Sequence, residues 1–169
     1  MIEMKVAGIA LDAATRNPIV ILRDGTQRRA LPIFIGQDQA KAIIAALEGQ
    51  RPPRPLTHDL MVSAIEALGG FLERIVIHSL QDNTFYAVLM VQQGEHSREI
   101  DARPSDAIAI ALRTNSSIWV MEEVVLEASI PVDREADEEE RRAFREFVSK
   151  LRPEDLIKRG GGGLSGDLS

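Results

Sequence analysis

The sequence predicts a single α+β domain built on a largely antiparallel sheet. Three observations carry that reading. The chain has 169 residues, the length of one domain. Short apolar runs recur with turn residues between them, so successive strands join by tight turns rather than by helical crossovers. Two stretches, 37–47 and 104–113, mix Ala with Ile or Leu nearly all round, the pattern of helices buried on several sides.

Taken in order, residues 2–12 read as a strand carrying Met4, Val6, Ile9 and Leu11 among small or polar neighbours. A turn at Thr15-Arg16-Asn17-Pro18 leads into the apolar run Ile19–Leu22, and Asp24-Gly25 signals a hairpin. Arg28–Ile35 is the third strand. Gly36 starts the helix Gln37–Leu47 and Gly49 closes it. The loop 49–57 holds three prolines, which remove backbone donors and disfavour helix before each. Thr57 is the expected N-cap of a helix ending at Gly69-Gly70.

The second half repeats the pattern. Phe71–Leu80 and Thr84–Val91 are strands about an Asp82-Asn83 turn, and Gln93-Gly94 turns the chain into the strand Ser97–Ala102. Pro104 suits the first position of the helix ending at Arg113. A short strand, Ser117–Met121, and a short helix, Glu122–Ala128, follow. Residues 3–47 and 71–112 thus both read β-β-β-α, which suggests an internal duplication. Residues 135–151 form an amphipathic helix with Ala143, Phe144, Phe147, Val148 and Leu151 at helical spacing, and Pro153 ends it. The expected organisation is a folded part at 1–132, a C-terminal helical extension at 133–159 packed on it, and a flexible Gly-rich tail at 160–169.

Composition bounds the function. With 44% hydrophobic and 27% charged residues the chain has the make-up of a globular protein. No cysteine is present, which excludes disulfides, thiolate metal sites and cysteine nucleophiles. The net charge of −6, from 20 basic and 26 acidic residues, supplies no broadly basic face for nucleic acid. The start, Met1–Lys5, lacks the basic-then-apolar pattern of a signal peptide, and no apolar run reaches the ~20 residues of a membrane span. The expected location is the cytoplasm, with no membrane partner.

Two segments carry candidate chemistry. In Arg51-Pro-Pro-Arg54-Pro-Leu-Thr57-His58-Asp59, a loop with two arginines enters a helix N-terminus, where free N–H groups and the helix dipole favour an anion. Arg54, Thr57 and His58 can hold a phosphate there, and His58 beside Asp59 offers a general base. The structural alternative is a rigid proline loop with Thr57 as cap and Asp59 complementing the dipole. In Asp101-Ala-Arg103-Pro-Ser-Asp106, the carboxylates of Asp101 and Asp106 can converge on a divalent metal such as Mg²⁺, and Arg103 can clamp an anion. Here the alternative is Asp106 reaching back to the cap N–H and Asp101 pairing with Arg103. His78, His96, Trp119 and the Phe85-Tyr86 pair lack the spacing or the basic setting of a site.

Leu31-Pro-Ile-Phe-Ile-Gly36, Arg54-Pro-Leu-Thr-His-Asp-Leu60, Thr84-Phe-Tyr-Ala87 and Asp101-Ala-Arg-Pro-Ser-Asp-Ala-Ile-Ala109 stand in that order. In these motifs, over residues 3–130, the chain resembles the bifunctional nuclease family. The resemblance implies phosphodiester hydrolysis of RNA or DNA, with nucleic acid as substrate. On that reading Asp101, Asp106 and Asp59 face a divalent metal and His58 serves as base or acid. Arg54, Thr57 and Arg103 then hold phosphate, and no organic cofactor is required. The competing reading is a non-enzymatic anion-binding or protein-interaction domain. Both readings allow a homodimer or higher homo-oligomer, because sheet edges need covering. The nuclease reading also requires loop 51–59 and junction 101–106 to share one cleft.

Overall fold

The computed structural model describes residues 1–132 and 134–150. The chain divides into two compact units, Met1–Val132 and Asp133–Ser169. The first unit opens with β1 (Ile2–Leu11), β2 (Pro18–Asp24) and β3 (Arg29–Phe34), an antiparallel meander, followed by α1 (Gln37–Leu47) and α2 (Thr57–Ala67). A second meander comprises β4 (Gly70–Gln81), β5 (Thr84–Gln93) and β6 (His96–Ala102). Then come α3 (Pro104–Thr114), β7 (Ser117–Val120), α4 (Glu122–Ala128) and β8 (Ile130–Pro131). In the second unit the described element is α5 (Arg134–Lys150), which covers the expected amphipathic segment 135–151 as far as Lys150. Leu151, Pro153 and the 160–169 tail lie outside the described residues.

All eight strands form one sheet, ordered β6-β5-β4-β7-β1-β2-β3-β8. Strand β7 joins the two meanders. It runs antiparallel to β1 and parallel to β4, the one parallel pairing, because α3 carries the chain back across the sheet before β7 begins. The order β-β-β-α does occur twice, at β1–α1 and β4–α3.

Local chemistry sets the joints. Asp82 and Asn83 both take positive φ, 49° and 61°, the two-residue hairpin geometry that matches strand twist. The hairpin signalled by Asp24-Gly25 joins β2 to β3 through a four-residue loop, 25–28. Its left-handed residue is Gln27, at φ 59°, and Asp24 organises the loop by accepting from the Thr26 hydroxyl and the Arg29 N–H. Gly49 and Gly69 adopt the left-handed φ, 64° and 79°, just beyond α1 and α2. The two-residue β8, which the sequence reading missed, pairs Ile130 and Pro131 with Ala30 and Arg29. A pair ending in proline carries too little pattern to be read as a strand.

The core lies between the sheet and its helices. Met4, Leu22, Leu31, Ile43, Ile75, Ile77 and Ile108 are fully buried. Ile75, Val76 and Ile77 are consecutive and all buried, so β4 is covered on both faces. Helix α3 meets the expectation of all-round burial, with Ala107 through Ala111 shielded. Helix α1 does not: it buries Ala40 and Ile43 but leaves Gln37, Asp38, Lys41 and Leu47 exposed. It packs against α3 on one side, and its polar residues Gln37, Asp38 and Lys41 face solvent on the other.

Candidate functional site

The site grows from the way α2 crosses α3. Helix α3 starts sharply. Arg103 is extended (φ −68°, ψ 141°) and Pro104 supplies the first helical residue, so Asp106 falls at the third position of the first turn. Helix α2 also starts one residue earlier than expected, at the residue expected to cap it. Leu56 is the N-cap and exposed Thr57 the first helical residue, so Asp59 takes the third position and accepts the Leu56 N–H at 3.0 Å. That carboxylate occupies the end of the helix where a phosphate was expected. Thr57 therefore caps nothing.

His58 and Asp59 are neighbours in sequence, and each reaches a different turn of α3. The His58 Nε2 lies 2.9 Å from Asp106 Oδ1. The Arg113 Nε donates to Asp59 Oδ1 at 2.8 Å. Asp106 and Arg113 are seven residues apart, two helical turns, and share a face of α3. Arg113 Nη1 also donates to the Ala42 and Ala109 carbonyls, which ties α1 into the same junction. Arg103 completes the cluster by donating from Nε and Nη2 to Asp106 Oδ2, at 2.8 and 2.7 Å.

The electrostatics follow from these contacts. Burial raises the Asp106 pKa, but the hydrogen bonds from His58 and Arg103, together with their charge, outweigh it and hold the carboxyl below its ordinary value. Asp59 behaves alike: burial opposes ionisation, and Arg113 and the Leu56 N–H overcome it. An ionised Asp106 only accepts, so His58 Nε2 must carry the hydrogen it shares. In the neutral ring the lone pair then sits on Nδ1. The His58 side chain keeps 13% of its surface in contact with solvent and that of Arg103 69%. The pairing leaves Arg103 with N–H groups free for another acceptor.

The loop 51–59 and the junction 101–106 thus meet through His58, Asp106 and Arg103. Arg54 is exposed in the loop four residues before His58. Asp101 does not join them by register. On β5 the fully buried Ala87 faces the helices and pairs with Ala102, whereas Asp101 pairs with Val88. Alternate residues point to opposite faces, so Asp101 projects from the face away from α3. The expected capping role of Asp106 and the Asp101–Arg103 pair are also replaced, since Arg103 and His58 take both Asp106 oxygens. Arg113 went unread as a site residue. Its signal was present: apart from Asp106 it is the only charged residue of α3.

These donors do not suit a divalent cation. Each oxygen of Asp106 and Asp59 already accepts a hydrogen bond, and an arginine guanidinium lies against each carboxylate. Among the described residues no group of three or more His, Asp or Glu side chains that could hold a metal ion occurs. The Asp101–Asp106 metal pair expected from the sequence is therefore not assembled.

Comparison with known proteins gives the family. The profile of the bifunctional nuclease domain matches residues 20–133, which include α2, α3 and all the residues of the cluster. The chain belongs to the bifunctional nuclease domain family. An uncharacterised protein of Mycobacterium tuberculosis (strain CDC 1551) is 40% identical over 162 residues, covering 91% of this chain and 97% of its own. Bifunctional nuclease 1 of Oryza sativa subsp. indica is 28% identical over 112 residues, 64% of this chain and 34% of the plant protein. Bifunctional nuclease 2 of Oryza sativa subsp. japonica is 30% identical over 109 residues, 62% and 33% respectively. The chain therefore spans about a third of the plant relatives it matches. No helix among the described residues is long and apolar enough to cross a membrane.

Proposed function

We propose that the protein is a nuclease that cleaves phosphodiester bonds of RNA or DNA, with His58 as the proton-transfer group. The observation that carries this reading is the His58–Asp106 contact beside exposed Arg103, in a chain of the bifunctional nuclease domain family. Asp106 fixes the ring with its shared hydrogen on Nε2, so Nδ1 can take a proton from the attacking oxygen and return it to the leaving oxygen. The free N–H groups of Arg103 bind the scissile phosphate and stabilise the charge that builds on it. Arg54 adds a second cation near the same helix end, a local basic spot on an acidic chain. No step here runs through a metal: both oxygens of Asp59 and of Asp106 already accept hydrogen bonds within the fold.

A second reading, a non-enzymatic binding domain, is favoured by one observation. All four carboxylate oxygens of Asp59 and Asp106 serve contacts within the fold, which an architectural role also requires.

One experiment separates the readings. Purified wild-type protein and H58A are assayed on single-stranded and duplex RNA and DNA, with Mg²⁺ and with EDTA. The nuclease reading expects cleavage by the wild type, retained in EDTA, and a loss of at least ~100-fold in H58A. Equal cleavage by both proteins identifies a contaminant and leaves the binding-domain reading.

A further inference from the structure

Helix α2 is anchored at its two ends and stands off the fold between them. Its first turn is tied to α3 by the His58–Asp106 and Asp59–Arg113 pairs. Its far end is pressed onto the sheet. A Cβ on Gly70 would meet Ile65 of α2 and Val91 of β5 at 3.3 Å, and the Gln93 side-chain amide donates to the Leu68 carbonyl at 2.7 Å. At about 100° per residue, His58, Asp59, Val62, Ile65 and Glu66 share an inward arc roughly 120° wide. A stripe of Leu56, Leu60, Met61 and Leu68 on the opposite side is exposed. Yet no residue of α2 is buried, and the inward Val62 and Ile65 are only half-buried. A cleft of about 310 Å³ runs beneath them, lined by Val62, Ile65 and Glu66 of α2, Leu72 of β4, and Arg113 and Thr114 of α3.

The polar groups of the cleft define what fits it. The Thr114 hydroxyl is spent inside the fold, on the Ile110 and Ala111 carbonyls and on Ser116. Arg113 donates one hydrogen bond from Nε and two from Nη1, which leaves the two N–H groups of Nη2. Glu66 is exposed and enters none of the ion pairs among the described residues. It lies two turns, roughly 10 Å, beyond Asp59, and helical side chains lean towards the N-terminus, so its carboxylate leans back towards Arg113. The lining between these two charges is aliphatic. An anion alone would face Glu66 and a cation alone would face Arg113, whereas a zwitterion with an apolar side chain satisfies both. The volume stands at the lower end of small-molecule sites, about 300–1,000 Å³, and suits a molecule of amino-acid size.

We propose that this cleft binds a free apolar α-amino acid, with its carboxylate on Arg113 Nη2, its ammonium on Glu66 and its side chain against Val62, Ile65 and Leu72. The proposal is independent of the nuclease reading. The test follows the amide resonances of Val62, Ile65, Leu72 and Thr114 in the full ¹⁵N-labelled chain during titration with L-leucine, L-isoleucine, L-methionine and L-phenylalanine. At least one is expected to bind with a Kd below about 1 mM. The same acid without its amine (4-methylpentanoate for leucine) should bind at least ~10-fold more weakly. E66Q changes an exposed position and should fold as wild type does. It should weaken the amino acid at least ~10-fold and leave the amine-free acid unchanged. V62W fills the cleft and should abolish binding of both. The proposal is overturned if none of the four binds below about 1 mM, if the amine-free acid binds as tightly, or if E66Q or V62W binds as wild type does. Shifts of these resonances on dilution of the protein alone would mean that a second copy fills the cleft, and would overturn it too.

Discussion

His58 and Asp106 lie 48 residues apart in sequence and 2.9 Å apart in space, where the first turn of α2 meets the first turn of α3. The carboxylate fixes which ring nitrogen carries the hydrogen, and so which holds the lone pair in the neutral ring. Replacing Asp106 by Asn keeps an oxygen to accept from Nε2–H but removes the negative charge beside the ring. In the nuclease reading D106N should lower cleavage about 10²-fold, with substrate binding changed far less. Single-turnover kinetics on a short oligonucleotide separate the two effects, and unchanged kcat would remove Asp106 from the mechanism.

The acid limb of stability should report the two aspartates. Both have folded pKa values below the ordinary one, while the unfolded chain titrates near ~3.9. A depressed folded pKa means that the unfolded state binds the proton more readily. The stabilisation is thus complete above about pH 4 and is lost as pH falls through the folded values. Urea unfolding between pH 7 and pH 2.5 should show wild type losing stability more steeply below pH 4 than D59N/D106N. Parallel curves would mean that the pairs contribute nothing.

Arg113 binds three elements at once, through Asp59 on α2, Ala42 on α1 and Ala109 on its own helix. Its side chain keeps 11% of its surface exposed. R113M leaves the Asp59 carboxylate without its charged partner and should cost about 2–3 kcal/mol. R113K keeps the charge but not the three-way fork, so it should recover only part of that loss. Denaturant midpoints measure both, and an R113M protein as stable as wild type contradicts the clamp.

Helix α3 supplies much of the core. Ile108 is fully buried, and I108A should destabilise by about 2–5 kcal/mol. On α2, M61A removes an exposed side chain and should shift stability of the folded subunit by no more than about 0.5 kcal/mol. A large loss in M61A would contradict the outward orientation of that side chain.

How far the sequence carried differs between fold and site. Element order was legible because it depends on neighbours: Pro104 opens α3, Asp82-Asn83 turns β4 into β5, and a Pro-rich loop separates α1 from α2. The ordered motifs of the loop and the junction also pointed to the family that the domain match shows. The sequence could not fix which polar residues meet. Asp101 and Asp106 read as a pair, yet the parity of the β5–β6 register sends Asp101 to the other face of the sheet. Arg113 read as the tail of an apolar helix until its position two turns from Asp106 put it over Asp59. The stripe on α2 reads the same whether it faces in or out; pairing His58 and Asp59 with α3 is what turns the leucines outward. Propensity and turn chemistry act over a few residues, so one chain states them. Which face of a helix is inside is set by the crossing of α2 over α3, and only the folded chain decides that.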